Sequence, residues 1–172
     1  MKHSSELVVD ADARIVVDAL GDLSTYPEWN DLVSRAEPSE AHPGDPGPAW
    51  FTTLRAQVGP FSRSKQLRFV RDQPVDDLED ASASPLIPGS VHTIGFNRLE
   101  VDGRDHARWT MEATVQPVGL TSKITLTLTY DGGLWVPALG LVLTSAIDRA
   151  TKRLPSYLQR HQGDPGQRDE AG

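Results

Sequence analysis

One stretch constrains this chain more than any other. Residues Ile124, Leu126, Leu128 and Tyr130 alternate with Lys123, Thr125, Thr127 and Thr129. A period of two gives a strand with one apolar face and one wet face. Gly132-Gly133 then breaks the strand, and Trp135-Val136-Pro137 leads into a helix over residues 137–162, about six turns or more in length. Leu139, Val142, Leu143, Ala146, Ile147, Ala150, Leu154 and Leu158 recur in it at three- and four-residue steps, while Asp148, Arg149, Lys152 and Arg153 fall largely on the other face. A sheet with one apolar face and a single long helix to cover it often encloses a cavity. Pro155 predicts a kink or an early stop near Arg153 to Ser156.

The rest of the chain supplies the other strands. Leu7 and Val9 suggest a first strand. Asp12 is placed to cap a short helix carrying Ile15, Val16, Ala19, Leu20 and Leu23 on one face, with Gly21 near its stop. Ser24 or Thr25 can cap a second short helix, with Pro27 in its first turn and Trp29, Leu32 and Val33 facing inward. An irregular edge strand is expected over residues 34–40, because Pro38 cannot donate to a ladder. Further strands read near residues 50–58, 62–71, 90–100, 107–116 and 121–130, with Asp102-Gly103 a strong hairpin signal. Residues 72–88 carry Pro74, Pro85 and Pro88 among polar neighbours and read as a long loop. One domain over residues 1–162 and a disordered tail over residues 163–172 are expected.

Composition narrows the function classes. The 172 residues carry a formal net charge of −7, which argues against a nucleic-acid partner and against electrostatic anchoring to anionic lipid. With no cysteine there is no disulfide, thiolate metal site or cysteine nucleophile. No apolar run reaches the roughly 20 residues of a membrane helix, so no integral membrane segment is expected. The start of the chain, Met1 to Glu6, lacks the apolar core of a signal peptide, and a soluble cytoplasmic protein is the expectation. Nothing in the sequence sets an oligomeric state.

The order is thus strand, two short helices, about six antiparallel strands and a long helix. Several local elements match a known pattern: Asp10-Ala11-Asp12-Ala13 before Ile15-Val16, the turn from Gly21-Asp22 through Tyr26-Pro27-Glu28 to Trp29, Gly59-Pro60-Phe61, and Trp109 in the penultimate strand. The chain resembles the START-like superfamily, also called SRPBCC, over about residues 5–160. The group includes polyketide cyclases and dehydrases, lipid-transfer domains and the birch-pollen allergen family. The resemblance implies an α+β helix-grip fold: a curved antiparallel sheet of about six or seven strands wrapped around a long C-terminal helix. In that fold the Tyr-Pro-x-x-Trp element is structural.

Strand parity then gives candidate pocket residues. Trp50, Leu54, Phe96, Trp109, Met111 and Tyr130 fall on the apolar faces of their strands, and Leu143 on that of the helix. Arg63 and Lys65 share parity with Leu67 and Phe69, so they either meet an anionic ligand group at a cavity mouth or stand solvated past the core. His92 and Tyr130 are the candidate acid–base groups; the plainer readings are an exposed strand-end histidine and a packing tyrosine. The acidic residues Asp72, Asp76, Asp77, Glu79 and Asp80 lack calcium-loop spacing, and His3, His42, His106 and His161 form no zinc-spaced pair. Ser145 lacks an activating motif, phosphate-binding glycine signatures are absent, and neither metal nor cofactor is expected.

Three functional readings follow. The first is a carrier or sensor that binds a hydrophobic or aromatic small molecule between sheet and helix. The second resembles a polyketide cyclase or dehydrase, with His92 and Tyr130 acting on a substrate in the same cavity. The third is a partner-regulating protein whose cavity is incidental. An enzyme needs at least two polar groups converging on one cavity point, whereas a carrier needs only an apolar lining and a way in.

Overall fold

The computed structural model describes residues 1–58, 61–72, 90–132 and 136–162. Among these, β1 (Lys2–Val9), β2 (Val33–Ser39), β3 (Ala49–Val58), β4 (Phe61–Arg71), β5 (His92–Arg98), β6 (Arg108–Val118) and β7 (Thr121–Asp131) form a seven-stranded antiparallel sheet in the order β1-β7-β6-β5-β4-β3-β2. Helix α1 (Ala13–Gly21) and a 3-10 helix (Leu23–Glu28) follow β1, and α2 (Val136–His161) follows β7. The expected tail and most of the expected long loop lie outside the described residues, as does Trp135.

The alternating strand pairs on both sides. Ile124 lies opposite Leu7 on β1 and Val115 on β6, and Leu128 lies opposite Met111. Ile124, Val115, Phe96, Ile94, Leu67 and Phe69 point to one face and are nearly inaccessible to solvent. Leu143, Ala146, Ile147, Ala150, Leu154 and Leu158 of α2 are buried in the same core, so the helix lies against the concave face. Burying each larger aliphatic side chain contributes roughly 1.5–3 kcal/mol before entropy costs.

Local details depart from the expected pattern in three places. Asp22, rather than Ser24 or Thr25, caps the second helix: its carboxylate accepts from Ser24 N at 2.8 Å. The Thr25 hydroxyl instead donates to the carbonyls of Ala19 and Asp22. Asp102-Gly103 does not make a two-residue hairpin; it sits within residues 99–107, where His106 Nε2 lies 2.8 Å from Asp102 Oδ1. The tight hairpin is Gly119-Leu120 between β6 and β7, with Gly119 at φ 63. Finally, α2 runs through Pro155 to His161. Leu154, Tyr157 and Leu158 are buried around the proline, and their burial outweighs a cost of about 3 kcal/mol for proline inside a helix.

The convex face carries its own anchor. Arg68 lies between Leu67 and Phe69 and points the other way, yet is fully buried. Its guanidinium grips Asp45 with both terminal nitrogens, Nη1 to Oδ1 at 3.1 Å and Nη2 to Oδ2 at 2.5 Å. It also donates to the carbonyls of Glu40 and Leu99. The proline- and glycine-rich link between β2 and β3 is thereby held on the sheet. Gly47 in that link admits no side chain, because a Cβ would stand 2.7 Å from the Arg71 carbonyl oxygen.

The Arg68 hydrogen bond, helped by the His42 N–H, holds the Asp45 carboxyl below the usual aspartate range against the opposing effect of burial. The lowered value means that the stabilisation is complete above the unfolded-state pKa of about 3.9 and is lost as pH falls through the folded value. Asp45→Ala should cost about 3–5 kcal/mol at neutral pH, since it leaves a buried guanidinium unpaired. In urea titrations the gap between wild type and variant should shrink as pH drops below about 4. A gap constant with pH would show that the ion pair is not its source.

Candidate functional site

The site follows from where the helix stripe is thin. Ala146 and Ala150 stand one turn apart on the buried face of α2, and Ala113 is buried on β6. Where three alanines replace larger residues, helix and sheet cannot fill the space between them. A cavity of about 40 Å³, partly open to solvent, lies there. It has room for about three waters, at roughly 10–15 Å³ of this measure for each.

Three elements build its wall. The sheet contributes Phe96, Met111, Ala113, Leu126 and Leu128, which occupy adjacent rows across β5, β6 and β7. The helix contributes Ala146, Ile147 and Ala150. The 3-10 helix and the turn after it contribute Tyr26, Trp29, Asn30 and Leu32. Glu112 and Thr127 also border it, but they form a cross-strand pair of opposite parity, so it is their backbone that reaches the space.

Local chemistry fixes the third wall. Asp22 starts the 3-10 helix, and the Tyr26 carbonyl closes it by accepting from Trp29 N at 3.2 Å and Asn30 N at 2.8 Å. Tyr26 donates its hydroxyl to the Leu20 carbonyl at 3.0 Å, and burial, with the Asp22 charge nearby, raises its pKa far above the ordinary value. It is a neutral structural donor. Tyr26 and Trp29 rings stand 4.4 Å apart, and Phe96 meets Tyr26 and Trp50 edge-on. Asn30 Oδ1 accepts from Leu32 N at 3.1 Å. Asp31 beside it faces outward to Arg149 and Arg153 of α2.

The sequence candidates fall into distinct places. Phe96 and Met111 are on the wall. Trp109 and Tyr130 occupy the next row along and pack edge-to-face at 4.9 Å, outside the wall. A side chain at Gly132 would run into the Tyr130 ring. Trp50 is buried against Phe96 and donates Nε1 to Ser24 Oγ at 3.2 Å; Leu54 is buried opposite Val33; Leu143 is fully buried one turn before Ile147. Arg63 and Lys65 are exposed on the part of β4 that lies opposite Ala56 and Leu54, beyond the rows paired with β5.

His92 is half-buried, with Nε2 2.9 Å from Ser90 Oγ, in a row with Val115 and Ile124. The Tyr130 row lies six residues further along β7 than Ile124, roughly 20 Å at 3.4 Å per residue. The structure therefore does not bring His92 and Tyr130 to one substrate atom, and the expectation that they act together is corrected on that distance.

Sequence reasoning missed most of the wall. It took Tyr26 and Trp29 as structural, and the structure gives both rings a cavity surface as well. The available signal was the Ala146–Ala150 step opposite an alanine strand position. Nothing in the sequence marks Asn30. Among the described residues, no group of acidic and histidine side chains is placed to hold a metal, and no helix is long and apolar enough to cross a membrane.

No protein-family model matches the sequence, and no curated protein matches it either. Solved structures do. The chain is similar to a START superfamily protein from Mycobacterium smegmatis, with 16% identity, a TM-score of 0.67 and coverage of 93% of this chain and 98% of that one. It is similar to the human StAR-related lipid transfer protein 5 at 10% identity and TM-score 0.67, covering 94% and 76% of the two chains. A STAR-related lipid transfer protein fragment from Xanthomonas axonopodis gives 16% identity and TM-score 0.60, covering 92% and 85%. These likenesses show the fold, which is the START-like helix grip.

The separation of His92 and Tyr130 has a measurable consequence. The unfolding free-energy changes of His92→Ala and Tyr130→Phe should add within about 0.5 kcal/mol in the double variant. Coupling well above that in urea denaturation would place the two side chains in one environment.

Proposed function

On a START-like helix-grip fold, we propose that this protein is a carrier or sensor that binds a hydrophobic or aromatic small molecule between the sheet and α2. The observation that carries this reading is the cavity itself: among the described residues its wall is apolar on all three sides, and of the side chains on that face only Asn30 offers an unpaired polar group. The lipid-transfer names of two structural neighbours point the same way.

The space as it stands suits water better than a lipid, so loading requires the wall to give. Two features support such movement. Met111 is a flexible side chain on the sheet side. The seam between the Asn30 segment and α2 is bridged by Asp31 to Arg149 at 3.5 Å and to Arg153, pairs that are 37–54% exposed. Exposed ion pairs contribute about 0–1 kcal/mol each, so parting them costs little.

Native mass spectrometry of freshly purified protein should reveal a copurified apolar ligand that leaves on denaturation. A screen of small aromatic and fatty-acyl compounds should change tryptophan fluorescence, through a component that Trp29→Phe removes. Ala113→Val should weaken binding about tenfold or more while leaving the melting temperature unchanged or higher. It adds two methyl groups to the cavity at a strand position that favours branching. No adduct, no fluorescence response and no effect of Ala113→Val would together remove the proposal.

A further inference from the structure

Asn30 carries an inference beyond the presence of a cavity, one that rests on the ligand-binding reading above. It is 9% exposed and lies on the cavity wall between Trp29 and Leu32. Its amide orientation is set by the backbone: the Leu32 N–H requires an oxygen, and Oδ1 supplies it at 3.1 Å. The amide nitrogen is therefore the free end. Among the described residues Nδ2 has no hydrogen-bond partner, and it is not sealed into the packing as Thr52 Oγ1 and the Arg71 Nε are.

A buried amide donor without a partner costs roughly 1–3 kcal/mol unless water or a ligand satisfies it. Among the described residues, Glu112 is exposed in a row with Thr127, on the opposite face, and the other polar side chains on the wall are already engaged. The Tyr26 hydroxyl is spent on Leu20, the Trp29 indole faces Thr25 Oγ1 at 3.5 Å, and Thr127 Oγ1 pairs with Ser4 on the other side of the sheet. Among the described residues no lysine, arginine or histidine is on the wall. Arg149, Lys152 and Arg153, the cations nearest in sequence to the wall residues of α2, are exposed, and the two arginines are turned to Asp31.

We propose that the cavity selects a neutral, mostly apolar molecule bearing one acceptor oxygen, a ketone, ester or similar carbonyl, which accepts from Asn30 Nδ2. An anionic headgroup finds no compensating charge here and would be costly to desolvate. A pure hydrocarbon leaves the donor unpaired. A carbonyl oxygen satisfies the donor, and its apolar body fills the space among Phe96, Met111, Leu128 and Ile147. Small polar determinants on an apolar wall discriminate in this way because the site's own group is left unsatisfied by the wrong ligand.

The test uses a matched pair of probes, acetophenone and α-methylstyrene, which differ by C=O against C=CH2, with benzoate as the anion. Each is titrated into wild type, Asn30→Asp and Asn30→Ser. Asn30→Asp keeps an oxygen for Leu32 N and removes the donor; Asn30→Ser keeps an acceptor for Leu32 N and draws its one remaining donor, the hydroxyl proton, back from the Nδ2 position. The ratio of acetophenone to α-methylstyrene affinity should fall about tenfold or more from wild type to either variant, and benzoate should bind wild type more weakly than the ketone. In infrared spectra of the wild-type complex, which depend on no variant folding, the carbonyl band should lie below its position in hydrocarbon solvent. An unchanged affinity ratio, a band at the hydrocarbon-solvent position, or benzoate bound as tightly as the ketone would overturn the assignment. If α-methylstyrene binds and only these differences are missing, the cavity reading stands and the Asn30 inference falls. If neither neutral probe binds, both fall.

Discussion

The seating of α2 on the concave face is the constraint on which the rest depends. A curved sheet with an apolar inner face cannot stand alone in water, and among the described residues one long helix covers it. The helix stripe is uneven. Leu143, Leu154 and Leu158 bury large side chains toward its ends, and Ala146 and Ala150 sit between them. The leucines on either side of the alanine step therefore hold the helix down, and the step itself cannot close the gap. Protein interiors pack so tightly that a deficit of a few methyl groups is enough to leave a void. The cavity is thus a consequence of residue size on one helix turn, set against another alanine on β6.

The third wall depends on a chain of small hydrogen-bonded devices. Asp22 starts the 3-10 helix, Tyr26 O ends it, Asn30 turns the chain, and Arg55 N donates to the Leu32 carbonyl to begin the β2–β3 pairing. Each is a short-range contact with a single geometry, so Trp29 and Asn30 are presented to the cavity in one orientation. On the other face Arg68 and Asp45 hold the β2–β3 link. A buried ion pair is weak evidence of net stability, because both charges lose water. Its visible effect is placement: a link rich in proline and glycine, with few apolar side chains of its own, is fixed where Arg68 can reach Glu40, Asp45 and Leu99.

Patterns of repeated burial were legible in the sequence. The period of two in β7, the three- and four-residue steps in α2 and the Asp12 cap each reflect a local rule, and the observed elements follow them. What was not legible depends on tertiary partners. Arg63 and Lys65 share parity with Leu67 and Phe69, yet both are exposed, and sequence gives no length at which a strand outruns its core. Arg68 reads as a surface residue until the 40–47 link folds over it. Trp109 and Tyr130 are aromatic and inward, which suggests a binding wall, yet the pair satisfies itself edge-to-face and the space opens two residues further along. Pro155 breaks helices in isolation and does not here, because the burial flanking it dominates. Asn30 makes the ordinary turn bond of an asparagine to the N–H two residues on, so only the wall folded around it sets it apart.

Under the proposed ligand-binding reading, the same arrangement lets a small, partly open cavity be loaded. Apolar burial on both sides of the alanine step, at Leu143 and at Leu154 and Leu158, is worth roughly 1.5–3 kcal/mol for each side chain, so the helix as a whole has no cheap route off the sheet. The contacts across the seam beside the cavity are of another kind: two exposed guanidinium groups sharing Asp31, screened by water and weak for that reason. A local opening there breaks little and exposes the faces of Ile147 and Leu32. Local openings of low cost are where ligand access is expected in a fold whose global stability is high. The residue next to the seam's aspartate is Asn30, so on the proposed reading the wall that would move to admit a ligand is also the wall that would offer it a hydrogen bond. Closing the seam over the wrong molecule leaves that donor buried without a partner, and the closed state is then disfavoured by the same 1–3 kcal/mol scale that a correct carbonyl removes. Selection and closure are in this way one equilibrium.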